Sequence, residues 1–282
     1  MQVSVGTARI FFEVFGQQVA LDGTAVERPT LIGLHGGPGV DGTALRYWLS
    51  PLADIAQVVV PDLRGHGRSD RGDPADWDLR TWARDTRQLC SILGVERPVL
   101  LGVSFGGFVA QQYAAMYPDE IAGLILISTA PRYPGAEAVL GRARDVGGAE
   151  AAAALRRFMD GADISADDQR RVDSLYQRGS DVRAGVLKGQ TIRTPEVART
   201  WVPLAQKSMD LRPGLGGVHC PTQVIVGELD PFNPPDLADE VVHAMPDGSA
   251  NLVVVPGAAH RVFADNPKFV YCTIREALAA ME

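Results

Sequence analysis

Ser104 has the surroundings of a nucleophile, because it lies in a turn that is built to expose a hydroxyl group. The sequence GVSFGG at 102–107 follows the apolar run 99–103 and leads directly into residues with helical apolar spacing. Glycine at Gly102 and Gly106 lets a strand and a helix pass close together without a collision of Cβ atoms. The pattern therefore predicts a nucleophilic serine on a strand-to-helix turn, with an ordinary serine in a glycine-rich turn as the alternative.

Asp230 and His260 complete a set that suits nucleophilic catalysis. Ser104, Asp230 and His260 each come directly after a predicted parallel strand, so all three lie at one edge of the sheet. A histidine beside the serine removes its proton during attack and returns it to the leaving group. A carboxylate on the other ring nitrogen fixes the tautomer. We assign that role to Asp230 rather than Glu228, which lies at a different depth in the sheet.

The glycine-rich loop at 35–39, His-Gly-Gly-Pro-Gly, exposes backbone N–H groups after the apolar run 30–34. Acyl transfer needs such donors aimed at the oxygen that becomes negative, and losing one donor typically costs about 10²–10³ in rate. We assign the N–H groups of Gly37 and Phe105 to this oxyanion hole, with Gly36 as the alternative donor. The competing interpretation is a plain strand-to-helix turn.

Composition restricts the partners of the chain. Its 282 residues, 46% of them hydrophobic, suffice for one large α/β domain with an insertion. A net charge of −7 argues against nucleic acid or an anionic membrane as a partner. No run has the length of a membrane span, and residues 1–10 lack the features of a signal peptide, which predicts a cytoplasmic protein. Cys90, Cys220 and Cys272 form no C-x-x-C pair, which predicts reduced, mostly buried thiols and neither a disulfide framework nor a zinc site.

Strand and helix patterns alternate along most of the chain. Predicted strands lie at 8–14, 17–21, 30–34, 58–60, 99–103, 121–128, 222–226 and 251–255. Predicted helices lie at 41–54, 81–93, after Ser104, at 236–245 and at 267–281. The turn after the fourth strand, at 61–69, lacks the lysine and spacing of a phosphate-binding loop and is interpreted as an internally hydrogen-bonded structural loop.

The segment 131–217 lacks a strong strand signal and carries helical patterns at 149–159, 166–177 and 196–209. An insertion at this point covers the carboxyl ends of the strands, where open α/β sheets bind ligands. We therefore predict a core domain of residues 1–130 and 218–282 and a helical lid domain of residues 131–217. The residues predicted to line the substrate pocket are Gly36, Phe158, Tyr176, Trp201 and Met209, with the core of the lid as the alternative place for the last four.

These motifs resemble the α/β-hydrolase fold superfamily over nearly the whole chain apart from the lid. HGGPG at 35–39 is most similar to the proline iminopeptidase group. DLRGHGRSD at 62–70 and GVSFGG at 102–107 equally resemble bacterial esterases, enol-lactonases and carbon–carbon bond hydrolases. The resemblance implies a mostly parallel eight-stranded sheet flanked by helices, a lid that sets specificity, and no cofactor or metal.

Two positions depart from the proline iminopeptidase pattern. Those enzymes usually carry tryptophan after the nucleophile and glutamine after the aspartate of the glycine turn, where this chain has Phe105 and Leu63. They also hold the free amine of the substrate with lid glutamates in an aromatic-flanked motif, and Glu137, Glu150 and Glu196 have no such context. Burying an ammonium group without a carboxylate is costly, so the departures favour a neutral substrate.

The first hypothesis is a serine hydrolase that cleaves a small neutral carboxylic ester or lactone through a Ser-His-Asp triad and an acyl-enzyme intermediate. Alternatives are an aminopeptidase like the proline iminopeptidases, a carbon–carbon bond hydrolase that uses the same residues, and a non-catalytic ligand-binding homologue. Such binding proteins commonly lose a triad member or the oxyanion glycines, and this chain has kept both. A homo-oligomer stays open, because apolar lid segments suit a partner chain as well as a pocket.

Overall fold

An eight-stranded sheet forms the centre of the described residues. The computed structural model describes residues 1–21, 25–179 and 182–281. The strands are β1 Gln2–Val5, β2 Ala8–Phe15, β3 Val19–Leu21, β4 Ala25–Glu27, β5 Thr30–Leu34, β6 Gln57–Pro61, β7 Val99–Val103, β8 Gly123–Ile127, β9 Thr222–Gly227 and β10 Ala250–Val255. The order of strands in the sheet is β1-β2-β6-β5-β7-β8-β9-β10, and β3 and β4 form a separate antiparallel pair.

The sheet is mostly parallel, as predicted. Strands β1, β2 and β6 pair antiparallel, and all neighbours from β6 to β10 run parallel. Every residue of β5 and β8 is buried, because helices cover both faces of a parallel sheet. Strands that are buried on both faces have continuous apolar runs in the sequence. The carboxyl ends of β5, β7, β9 and β10 therefore face the same edge.

Helices cover both faces of the sheet. They are α1 Thr43–Leu49, α2 Leu79–Ile92, α3 Phe105–Met116, α4 Ala136–Met159, α5 Ala166–Tyr176, α6 Val182–Gln190, α7 Pro195–Ser208, α8 Arg212–Leu215, α9 Pro235–Ala244, α10 Val262–Asp265 and α11 Pro267–Ala279. One apolar core joins the sheet to α2, α3 and α9, and a second joins it to α1, α10 and α11. No helix in the described parts of the chain combines the length and apolar character that crossing a membrane requires.

Several predicted element boundaries need correction. The helix predicted at 41–54 is shorter, since α1 ends at Leu49 and a 3₁₀ turn, Ser50–Asp54, carries Pro51 in its first turn. Strands β1 and β4 and helices α6, α8 and α10 have no counterpart among the predicted elements. Helix α4 begins thirteen residues before the predicted 149–159, and its two halves meet at Gly148, where φ is 84°. Glycines within α4 and α6 weaken the helical pattern in the sequence.

The loop after β6 is internally hydrogen-bonded, which confirms its interpretation as a structural element. Asp62 is buried, and its carboxylate accepts the N–H groups of Gly42 at 2.9 Å and Arg68 at 2.8 Å. The same carboxylate pairs with the guanidinium of Arg46. These contacts fix the loop against the start of α1, beneath the edge where β5 ends.

The three cysteines are unpaired in the structure. Cys90 and Cys220 are buried, and burial raises the pKa of the Cys90 thiol to about 12. Cys272 is exposed on α11, so the prediction of buried thiols holds for two of the three. A buried thiol with a raised pKa is inert, and Cys90 and Cys220 are therefore packing residues.

The helical segment between β8 and β9 has an apolar cluster of its own, and it is joined to the core by buried side chains of α7 and by short backbone contacts. The cluster lies between α4 and α5, and Phe232 packs against it from the core. Just after the glycine-rich loop, Asp41 N–H donates to the Ile192 carbonyl at 3.1 Å. Near the glycine-rich loop, Thr194 N–H donates to the Gly39 carbonyl at 2.9 Å. The division of the chain into a core domain and a lid domain stays a prediction.

Candidate active site

Ser104 lies between β7 and α3 with a strained backbone. Its φ of 52° and ψ of −113° fall outside the regions that residues with a Cβ normally adopt, and strain of this kind concentrates at functional sites. A Cβ on Gly102 would lie 2.5 Å from the Gly106 carbonyl oxygen, and a Cβ on Gly106 would collide with the Leu34 carbonyl. The two glycines therefore permit the close approach of strand and helix, as the sequence predicts.

His260 joins Ser104 to Asp230. Its Nε2 lies 3.0 Å from the Ser104 hydroxyl oxygen, and its Nδ1 lies 2.8 Å from Asp230 Oδ2. An ionised carboxylate only accepts hydrogen bonds, so Nδ1 carries the proton and Nε2 is left to accept from the serine hydroxyl. The Asp230 side chain is fully buried and the His260 side chain is 10% exposed. This arrangement is suited to removing a proton from Ser104.

The turn after Asp230 fixes the orientation of its carboxylate. Asp230 Oδ1 accepts the N–H groups of Phe232 at 2.8 Å and Asn233 at 3.0 Å, which leaves Oδ2 for the histidine. The Asn233 side chain in turn donates to the Ser128 carbonyl at 2.9 Å, which ties this turn to the end of β8. Phe232 and Asn233 are not among the site residues that the sequence predicts. The signal was present, because an aspartate commonly bonds the backbone two residues further along in a turn.

The glycine-rich loop passes directly over Ser104. A Cβ on Gly36 would lie 3.7 Å from Ser104 Cβ, and Gly37 adopts a φ of 126° that favours glycine. His35 is buried and orders this loop, with Nδ1 donating to the Gly36 carbonyl at 2.8 Å and Nε2 accepting the Leu63 N–H at 3.1 Å. Burial lowers the pKa of His35, so the ring stays neutral and can fill both roles.

Phe105 begins α3, in the turn where helix geometry leaves backbone N–H groups without a partner inside the helix. Its ring is buried and meets Trp201 of α7 at 5.0 Å between ring centroids, edge to face. Trp201 also contacts Phe108 at 6.1 Å and Tyr133 at 6.3 Å. The helical segment therefore rests on the start of α3 through Trp201, and the oxyanion roles of Phe105 and Gly37 stay predictions.

Tyr176 is brought next to the histidine. Its ring lies 5.5 Å from the His260 ring and stacks on Phe232 at 4.3 Å, and Phe232 itself lies 5.2 Å from His260. Burial raises the pKa of Tyr176 to about 12, so its phenol is neutral. Two further predicted pocket residues, Met209 and Phe158, have different surroundings. Met209 is half-buried against the main apolar core, and Phe158 is 45% exposed near the end of α4.

Glu228, the alternative to Asp230, and the histidines His66 and His243 have partners outside the set of Ser104, Asp230 and His260. Glu228 accepts the Gly257 N–H at 2.8 Å, and His243 bonds the Asp239 carbonyl at 3.0 Å on the exposed side of α9. His66 donates to the Arg64 carbonyl at 3.0 Å, and burial lowers the pKa of His66 to about 3. Among the residues that the structure describes, His, Cys, Asp and Glu side chains form no group of three or more that could hold a metal ion.

Comparison with known proteins gives one consistent family. The model of the alpha/beta hydrolase fold family matches residues 29–267. Over 279 residues the chain is 29% identical to the proline iminopeptidase PfmaB of Pestalotiopsis fici, covering 95% of this chain and 98% of that protein. Over 251 residues it is 28% identical to the pimeloyl-acyl-carrier-protein methyl ester esterase of Edwardsiella ictaluri, covering 84% and 88%.

A solved structure agrees with these relatives. The thermophilic esterase from Thermogutta terrifontis superposes with a TM-score of 0.73 at 28% identity, covering 100% of this chain and 98% of that one. The family match extends from β5 to the start of α11 and so includes every strand that ends at the candidate site. The chain therefore belongs to the α/β-hydrolase fold family and is an enzyme of that family.

Proposed function

We propose that this α/β-hydrolase is a serine hydrolase that cleaves small neutral carboxylic esters or lactones. One observation carries the proposal, namely the continuous chain of hydrogen bonds from Asp230 through His260 to Ser104, with distances of 2.8 Å and 3.0 Å. The strained backbone of Ser104 adds support, since it holds the hydroxyl at the carboxyl edge of β7.

In the proposed mechanism, Ser104 Oγ attacks the ester carbonyl while His260 Nε2 takes its proton. Asp230 holds the imidazole in the correct tautomer and stabilises the imidazolium that forms. The N–H groups of Gly37 and Phe105 bind the oxygen as it becomes negative. His260 then gives the proton to the leaving alcohol, and a water molecule activated by the same nitrogen hydrolyses the acyl-enzyme to release the acid.

The state of the acidic residues supports a neutral substrate. Glu137, Glu150 and Glu196 are the three glutamates of residues 131–217 and would have to bind the amine of a peptide substrate. Glu137 pairs with Arg156 at 2.7 Å, Glu150 pairs with Arg171 at 2.7 Å, and the shortest separation between Glu196 and Arg71 is 3.8 Å. All six side chains are more than a third exposed. Carboxylates held by arginines at the surface are unsuited to neutralising a buried substrate ammonium.

The surroundings of His260 support the same conclusion. The rings of Tyr176 and Phe232 cover the histidine with a neutral, mostly apolar surface. We propose that residues 131–217 act as a lid over this surface, on a core of residues 1–130 and 218–282, and that the lid sets specificity. In this proposal Gly36, Tyr176 and Trp201 face the substrate.

A second candidate is an aminopeptidase like the proline iminopeptidases. It is favoured by HGGPG at 35–39 and by the proline iminopeptidase PfmaB, which is 29% identical over 95% of this chain. This activity needs an acceptor for the substrate amine, and the arginine pairs of the lid glutamates oppose that role. The two candidates share the residues of the bond-breaking step and differ in leaving group and charge.

The deciding experiment compares kcat/KM for 4-nitrophenyl butyrate and for proline 4-nitroanilide, with Ser104→Ala protein as the blank. We expect ester turnover that is lost by at least about 10⁴-fold in Ser104→Ala, with little anilide turnover. Circular dichroism and the unfolding midpoint check that the variant is folded. Strong anilide turnover would replace the ester proposal with the aminopeptidase, and ester turnover unchanged in Ser104→Ala would remove the serine mechanism altogether.

A further inference from the structure

Asp265 at the end of α10 joins two parts of the chain that are distant in sequence. Its Oδ2 accepts the N–H of Ala259, the residue before His260, at 2.8 Å. Its Oδ1 accepts the N–H groups of Arg178 at 2.7 Å and Gly179 at 2.8 Å, directly after α5. One half-buried carboxylate thus receives three backbone N–H groups, two from the helical segment and one from the histidine loop.

A second contact runs parallel to the first. The N–H of Arg261, the residue after His260, donates to the Tyr176 carbonyl at 2.7 Å. The Arg261 guanidinium lies over the Tyr176 ring at 5.3 Å, and that ring meets His260 edge to face. The residues on both sides of His260 are therefore hydrogen-bonded toward the C-terminal end of α5, either directly or through Asp265.

We propose that Asp265 is a positioning residue for His260, because its carboxylate couples docking of the helical segment at 176–179 to the geometry of the histidine loop at 257–261. This proposal rests on the proposed function, in which His260 is the general base. Asp265 does not touch Ser104 or the substrate in this account. It acts by holding the backbone on which the imidazole is carried.

Carboxylate chemistry explains why this position suits an aspartate. Two oxygens with two lone pairs each can accept from both segments at once, and hydrogen bonds to a charged acceptor are stronger than neutral ones. An alanine at 265 would leave the three N–H groups without this acceptor and would free the two segments to move independently. Misplacement of a catalytic group by about 1 Å costs on the order of 10²-fold in rate.

The first experiment compares Asp265→Ala with Asp78→Ala, using 4-nitrophenyl butyrate as the substrate. Asp78 is the matched control, since it is also half-buried and accepts a backbone N–H, that of Thr81 at 2.9 Å, at the start of α2. Active sites are counted by complete reaction with diethyl 4-nitrophenyl phosphate, so misfolded protein does not enter the rate. We expect kcat per titrated site to fall about tenfold to a hundredfold in Asp265→Ala, and less than about twofold in Asp78→Ala.

These rates separate the proposal from the function on which it rests. Wild-type protein without ester turnover would reject the proposed function. Active wild type with Asp265→Ala within about twofold of it per titrated site would reject the positioning role and leave the proposed function standing. An equal loss in Asp78→Ala would also reject positioning, because the loss would then follow from general destabilisation.

Hydrogen exchange tests the coupling without any substrate. In Asp265→Ala, backbone amides at 176–179 and at 257–261 should both exchange faster, whereas Asp78→Ala should change neither segment. Faster exchange confined to 257–261 would mean that the carboxylate only caps its own loop, and the coupling would be rejected. This measurement also tests the proposal if Asp265→Ala is too unstable for the kinetic experiment.

A variant on the helical side removes one donor without changing the core. Gly179→Pro deletes the N–H that donates to Asp265 Oδ1, and Gly179→Ala keeps it, with the new Cβ at an ordinary 3.6 Å from that oxygen. We expect a severalfold lower kcat per site in Gly179→Pro than in Gly179→Ala. Equal kcat values in the two variants would show that docking of the helical segment at Gly179 does not affect the position of His260.

Discussion

The carboxyl edge of the sheet and the helical segment at 131–217 are held in place in different ways. At the edge, the Asp230 side chain is fully buried, and its oxygens bond His260 and two backbone N–H groups. In the helical segment, ionisable side chains form surface pairs, such as Glu137 with Arg156, in which the glutamate is 81% exposed. The segment reaches the core through backbone hydrogen bonds, through buried apolar side chains of α7 such as Trp201, and through the stack of Tyr176 on Phe232.

This contrast indicates different roles for the sheet edge and the helical segment. Groups that move protons need fixed distances. Strands β7 and β9, which precede Ser104 and Asp230, are paired on both sides, and β10, which precedes His260, is an edge strand paired with β9. A surface that selects substrates can change without loss of the chemistry if it rests on the core at separate points. Exposed pairs contribute about 0–1 kcal/mol each, so the surface pairs of the helical segment add little to global stability.

The largest expected effect is a difference in kcat between variants of two carboxylates that lie two residues apart, Asp230 and Glu228. Asp230→Asn keeps the shape of the side chain but offers His260 an amide, which favours the wrong tautomer and should lower kcat by about 10⁴-fold. Glu228→Gln, whose carboxylate bonds the exposed Gly257 N–H, should change kcat less than about threefold. Both are measured with 4-nitrophenyl butyrate.

The unfolding midpoint of each variant serves as the control for this pair. A large loss in Glu228→Gln with little loss in Asp230→Asn would exchange the roles of the two residues. It would also contradict the view that burial at the strand edge selects the functional carboxylate.

The sequence predicted the edge better than the helical segment, for physical reasons. The bounds of β5 and β7 were predicted without error, since their apolar runs end in glycine-rich turns. Ser104, Asp230 and His260 are predicted from the sequence because each lies in the loop after a predicted strand, a feature that a single sequence displays. Local chemistry and sheet topology together suffice for this part of the molecule.

The contacts that connect the two regions were not predictable. Asp265 bonds Arg178, 87 residues earlier in the chain. Phe232, in the turn after Asp230, stacks on Tyr176 at the end of α5. A pairing at that distance leaves no periodic signal in one sequence. Helix α6 was missed for another reason, since its glycines at 185 and 189 lower the helix propensity.

The second prediction tests how tightly each region is packed. Gly106→Ala places a Cβ against the backbone carbonyl of Leu34 and should lower the free energy of unfolding by at least about 3 kcal/mol. Gly141→Ala lies in an exposed turn of α4 with open space around it and should raise that free energy by about 0.5–1 kcal/mol. Urea unfolding measures both. Similar losses in the two variants would mean that the helical segment is packed as closely as the edge.

The last and smallest prediction concerns acid. Burial lowers the pKa of His66 from 6.5 to about 3, so the unfolded chain binds a proton in this range that the folded chain does not. The contribution of neutral His66 to the free energy of unfolding is therefore fully present above about pH 6.5. It is lost as the pH falls toward about 3, by up to about 1.4 kcal/mol per pH unit.

His66→Asn keeps a donor for the Arg64 carbonyl but removes the titrating ring, so the dependence of stability on pH should become shallower by about this slope. Glu137→Gln, on the exposed face of α4, should leave the slope nearly unchanged, because its ion pair is surrounded by water in the folded protein. Urea unfolding at about pH 7, 6 and 5 provides the measurement. If instead Glu137→Gln flattened the slope and His66→Asn did not, surface pairs of the helical segment would govern acid stability, and the contrast between the two regions would be reversed.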